Sequence, residues 1–131
     1  MSTKKNYQAT LVAEMYKPGR AVLHDDLALT GAEVSINTLP AGVSLPFIHA
    51  HKQNEEIYVV LKGKGLFYID GEEFGVQKGC AVRIDPAAAR SIRADDASEL
   101  TYVCIQARAG SLEQHTQGDG LPAEGQPSWQ K

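Results

Sequence analysis

Two histidines, His49 and His51, lie two positions apart, and the carboxylate Glu56 follows after a short polar stretch. On an extended strand, residues i and i+2 point to the same face, so the two imidazoles can converge on one point. Glu56 opens the next β-type run, Ile57-Tyr-Val-Val-Leu61, and a facing strand can bring its carboxylate to that point. Two imidazoles and one carboxylate with open positions suit a divalent transition metal: iron, manganese, nickel or zinc. The plainer alternative is a pair of half-buried, hydrogen-bonded strand histidines, and a lone His-x-His does not separate the two. No Gly-rich phosphate loop, Ser-His-Asp pattern or Cys-x-x-Cys pair accompanies them, and no catalytic residue is assigned.

The elements that must position these side chains are strands. Short β-branched and aromatic runs recur between turn signals and helical periodicity is nearly absent, the pattern of an all-β sandwich or barrel. The expected strands are 8–13, 21–23, 32–39, 45–50, 56–61, 65–69, 73–76, 81–84, 90–93 and 99–107, about ten in all. Asp70-Gly71 sits between two apolar runs and can supply the positive φ angles of a two-residue hairpin turn. Lys62-Gly-Lys-Gly65 and Lys78-Gly79 read as further turns, and Pro40 and Pro86 as bends at strand ends.

With 131 residues there is room for one domain, able to bury roughly two-thirds of its unfolded surface. We place that domain at 1–110, with N-terminal strands leading into the barrel. From 111 to 131, Gln, Gly, Pro, Ser and Glu dominate, an extended polar tail whose Trp129 is expected to dock into a groove or a neighbouring subunit. A formal charge of -3 and a pI near 5.8 offer no electrostatic footprint for nucleic acid or an anionic membrane, which leaves a small molecule as the partner. The polar start MSTKKNYQAT has no apolar signal core, so a cytoplasmic location is expected. Cys80 and Cys104 each lie within an apolar run and read as free buried thiols.

The segment from Gly42 to Gly63 resembles the first motif of the cupin superfamily: Gly, five residues, His-x-His, three or four residues, Glu, six residues, Gly. His49, His51, Glu56 and Gly63 match at allowed spacing, and Gly42 sits one residue too far upstream. The likeness covers about residues 32–107. It implies a double-stranded β-helix, or jelly-roll barrel, with a C-terminal extension, a metal on His49, His51 and Glu56, and pairing into a homodimer, with Ala32 to Leu39 or the N-terminal segment as exchanging strands. The second cupin motif is only partly present. Gly79 aligns, but Asp85 stands where proline is expected, Ala87 replaces glycine, Ala94 replaces asparagine, and Arg90 occupies the histidine position.

Arginine stays protonated and offers only donors, so Arg90 is not a ligand. A guanidinium about 5 Å from a divalent ion would be repelled by roughly 6 to 7 kcal/mol at an effective dielectric of about 20, so something negative must intervene. Three solutions remain: Glu56 pairs with Arg90 and no metal binds, a substrate anion bridges metal and Arg90, or Arg90 turns out to solvent. Tyr58 and Tyr68 are candidate pocket donors beside Arg90 for substrate binding, with packing at the barrel rim as the alternative. His24, His115 and Cys104 are the candidate replacements for the missing ligand. Gln53 and Glu55 are expected to be solvated, and Asp25-Asp26 and Asp95-Asp96 to be turn residues.

Three functions follow from the resemblance. The first is a metal-dependent oxidoreductase, lyase or isomerase acting on a small anionic metabolite; no nucleic acid or membrane is involved. The second is a metal-free sugar isomerase or epimerase, and the third a metal-free binding or sensing module.

Overall fold

The computed structural model describes residues 2–3, 6–115 and 118–130. Among them, in chain order, are β1 (Ser2–Thr3), β2 (Gln8–Ala9), β3 (Gly19–Val22), α1 (His24–Leu27), β4 (Glu33–Leu39), β5 (Asn54–Ile69), β6 (Glu72–Gln77), β7 (Ala81–Ile84), β8 (Arg90–Ala94) and β9 (Leu100–Arg108). The architecture is mostly β, as the residue pattern predicts, and every strand pairing is antiparallel. The main sheet runs β3-β4-β9-β5-β6, with β7 and β8 also on β5, while β1 and β2 pair separately.

β5 organises the barrel. Its first half lies between β9 and β7, and its second half between β6 and β8. The expected break at Lys62-Gly-Lys-Gly65 does not occur; instead the ladder with β9 shifts between Val60 and Lys62, which leaves Leu61 as the extra residue of a bulge. One extra residue reverses which side chains face in. Glu56, Tyr58 and Val60 are buried before the bulge, and Gly65 and Phe67 after it. Gly63 sustains the irregularity: its φ is +87°, and a Cβ there would collide with the carbonyl oxygen of Glu99.

The Asp70-Gly71 turn forms as predicted, with φ of 49° and 88°, and pairs Ile69 with Glu72. The core contains Tyr58, Phe67, Ile84, Ile92, Leu100 and Tyr102. The Tyr58 and Phe67 rings meet edge to face at 4.9 Å, and each large apolar side chain removed from water contributes about 1.5 to 3 kcal/mol.

Other expectations are corrected. Residues 45–50 are not a strand; beside β8 they form one isolated bridge, His49 with Arg90, and a bond from Leu45 N–H to the Ile92 carbonyl, while the neighbouring Ser44 bridges Arg93. Pro46 lacks the N–H that a continuous ladder would need there. The 8–13 strand shortens to β2, and His24–Leu27 is a helical turn without a helical period in the sequence. β4 lies between β3 and β9, and among the described residues β3 ends the sheet. Both cysteines are free, Cys104 buried and Cys80 partly so. In the tail Trp129 is 80% exposed, so it is not docked on this chain. No helix among the described residues is long and apolar enough to cross a membrane.

Candidate metal centre

Backbone pairing delivers the histidines. Arg90 N–H donates to the His49 carbonyl at 2.9 Å, His49 N–H donates back at 3.2 Å, and His51 N–H donates to the Pro86 carbonyl at 2.8 Å. Glu56 is held between Ile84 of β7 and Gln106 of β9, on the inward face of β5. His51 Nε2 then lies 3.2 Å from Glu56 Oε2, and His49 Nε2 lies 3.9 Å from Oε1. One ligand atom from each of the three falls within 4.8 Å of the others. The expected convergence of His49, His51 and Glu56 is therefore present.

The fourth position is closed by arginine. Arg90 is fully buried, and its Nη1 donates to Glu56 Oε1 at 2.6 Å. Its Nε donates to the Ala88 carbonyl at 2.8 Å, and its Nη2 to the carbonyls of Asp85 and Pro86 at 2.6 and 3.0 Å. The drifted second motif thus supplies a cage of carbonyls for a guanidinium. Of the three solutions open from the sequence, Arg90 takes the pairing with Glu56, not the turn to solvent. With each guanidinium nitrogen already donating within the chain, Arg90 is not placed to clamp a substrate anion, and it does not line the cavity above Glu56.

Tyr58 donates to Glu56 Oε1 at 2.9 Å, and the Cys104 thiol lies 3.5 Å from Oε2. Burial by itself would raise the Glu56 carboxyl, but the hydrogen bonds from Arg90 and Tyr58 hold it below the ordinary carboxylate range. The Tyr58 phenol is pushed up by burial and by its acidic neighbours, so it is a donor and not a base. Burial and the Glu56 charge push the Cys104 thiol up to about 12. His49 is lowered, chiefly by burial, which leaves its ring neutral near pH 7 with a lone pair free; its Nδ1 is buried with no hydrogen-bond partner among the described residues.

His49, His51, Glu56, Tyr58 and Cys104 line a cavity of about 500 Å³. Tyr68 does not. It lies ten residues after Tyr58 and by simple alternation would share its face. The bulge inverts the strand between them, and Tyr68 lines a separate shallow groove with Ser91 and Arg93. Of the replacement ligands, His24 pairs with Asp25 on the surface at 3.0 Å and His115 is exposed. Cys104 faces Glu56 but falls outside the three-residue cluster. Gln53 is exposed and Glu55 half-buried. Sequence reasoning missed Arg20, Asn37 and Gln106, which also line the cavity. Alternation along β4 was signal enough for Asn37, whereas Arg20 fell outside the expected strand at 21–23.

The family model described as the Cupin domain matches residues 35–106, more than half of the chain. The chain is a cupin. Among solved structures, a cupin protein from Bacteroides fragilis is 53% identical to it, with a TM-score of 0.86 over 92% of this chain and all of that one. A protein from Thermotoga maritima described as a predicted oxalate decarboxylase is 25% identical, with a TM-score of 0.54 over 58% of the cupin and 65% of that chain. An uncharacterized protein of Methanocaldococcus jannaschii is 36% identical over 66 residues; the cupin spans about half of that relative's length.

A His-His-Glu set is able to hold a metal, and the donor chemistry fits a transition ion in this cupin. Glu56 Oε2, the oxygen beside His51, is free of Arg90 and Tyr58, both of which bond to Oε1, the oxygen that His49 Nε2 approaches at 3.9 Å. His49 turns Nε2 toward Glu56, and its Nδ1 has no partner among the described residues.

Proposed function

We propose that this cupin is a metal-dependent enzyme of oxidoreductase, lyase or isomerase type that takes a small anionic metabolite into its barrel. The observation that carries the reading is the approach of three ligand atoms within 4.8 Å of one another on the wall of a cavity of about 500 Å³. The likeness to the Thermotoga maritima protein described as a predicted oxalate decarboxylase supports a carboxylate as the metabolite.

A bound divalent ion would supply Lewis-acid or redox chemistry at His49, His51 and Glu56. The chain's own residues prepare that position. Arg90 and Tyr58 fix the Glu56 carboxylate and keep it ionised, and the neutral His49 ring keeps its lone pair available. Cys104 remains a protonated thiol against Oε2. Elemental analysis of protein purified without added metal tests the reading. A stoichiometric transition metal that is lost in His51→Ala is expected, and metal-free protein with full activity would refute it.

A second reading, a metal-free binding cupin, draws on one specific contact: Arg90 already neutralises Glu56 at 2.6 Å. It predicts ligand-induced thermal stabilisation that survives chelation and yields no product. For either reading we propose a cytoplasmic homodimer, with the free side of β3 as the pairing edge; sedimentation at micromolar concentration gives the oligomer number.

A further inference from the structure

The charges around the cavity do not balance. Glu56 is the only carboxylate among the described residues that line it, and its charge is taken by Arg90 beneath. Among the described residues Arg20 is the only lysine or arginine on that wall. It makes no ion pair or side-chain hydrogen bond within the described chain.

Register explains how Arg20 gets there. β3 pairs with β4 so that Arg20 faces Asn37, and β4 pairs with β9 so that Asn37 faces Tyr102. Directly opposed residues of antiparallel strands point to one face; Asn37 and Tyr102 are buried inside the barrel, while Arg20, on the last strand of the sheet, is exposed where it lines the cavity. Leu39, Leu45 and Phe47 supply apolar wall to the same cavity, and Gln106 adds a polar side chain.

We infer that Arg20 is the anion-binding residue of this cupin, and that its ligand is a small carboxylate with an apolar body. The inference rests on the small-anion reading above and adds the group that recognises the charge. One planar fork matches one carboxylate with two parallel N–H···O bonds, whereas a phosphate dianion would leave charge unmatched. The apolar walls accept the carbon body, and the other end of the ligand reaches His49, His51 and Glu56.

The test uses the full-length protein with its metal content measured in every sample, and hexanoate and benzoate as probes against hexanamide and benzamide. Calorimetry is expected to show the acids binding the wild type at least about tenfold more tightly than the amides. Arg20→Gln is expected to lose about 10- to 100-fold for the acids and nothing for the amides, with Arg20→Lys in between. Acids that bind Arg20→Gln as well as wild type, a wild type without preference for the acids, or one that binds neither probe would overturn the inference. Protein without metal that still loses acid binding in Arg20→Gln leaves Arg20 in place and removes the metal reading; metal-loaded Arg20→Gln with unchanged acid binding does the reverse.

Discussion

The two oxygens of the Glu56 carboxylate face different worlds. Oε1 looks down onto Arg90, whose side chain is 1% exposed, while Oε2 looks up to His51, which is 24% exposed and borders the cavity. Oε1 accepts from Arg90 and Tyr58, whereas Oε2 has His51 and the Cys104 thiol beside it. The contrast teaches that replacing the second-motif histidine with arginine need not abolish the site. It turns one half of the carboxylate into a structural ion pair and leaves the other half available, at the cost of a less basic ligand and a positive charge one shell away.

The largest expected effect comes from breaking the lower half. Arg90→Met leaves a buried carboxylate without its countercharge and is expected to cost about 3 to 5 kcal/mol in urea denaturation. A loss below about 1 kcal/mol would mean that Arg90 is not what stabilises Glu56. Breaking the upper half has the opposite profile. His51→Ala is expected to weaken metal affinity by at least about 100-fold, since even loss of an outer partner costs 10- to 100-fold, while stability of the metal-free protein changes by less than about 1 kcal/mol. Equal stability losses in the two variants would erase the distinction between the halves.

Acid titration of the metal-free protein sharpens the comparison further. His49 is lowered from 6.5 and Glu56 from 4.5, so the unfolded chain takes up each proton first. Each contribution is intact above the unfolded value and is lost as the pH falls through the folded one. Stability is therefore expected to decline below about pH 6.5 and more steeply below about pH 4.5, and Arg90→Met is expected to remove the steeper limb. Cys104 provides the smallest signal. Its thiol, pushed up to about 12, stays protonated where an ordinary thiol ionises. Iodoacetamide at pH 8 is expected to label the partly exposed Cys80 and spare Cys104 in native protein, with mass spectrometry as the readout. Rapid labelling of Cys104 would show that the floor of the cavity opens.

Much of this molecule was legible before its structure. His49, His51, Glu56 and Gly63 stand at motif spacing, and Asp70-Gly71 names its own turn because the backbone angles it needs are ones few other pairs adopt. These are short-range facts, in which a few neighbouring residues settle their own geometry. The faces of β5 beyond its bulge were not legible. Alternation carries forward only while the ladder is regular, and the extra residue Leu61 breaks it; the glycines Gly63 and Gly65 mark the place in the sequence but read there as a turn and not as a bulge within one strand.

The sequence thus determined an all-β fold and, through its match to the first cupin motif, the set of His49, His51 and Glu56. Tertiary structure decided the rest: that Arg90 meets Glu56 across 34 positions, that Tyr68 turns away, and that Arg20, opposite Asn37, reaches the cavity. Pairings between distant strands depend on register and bulges, and a slip of one residue exchanges inside for outside.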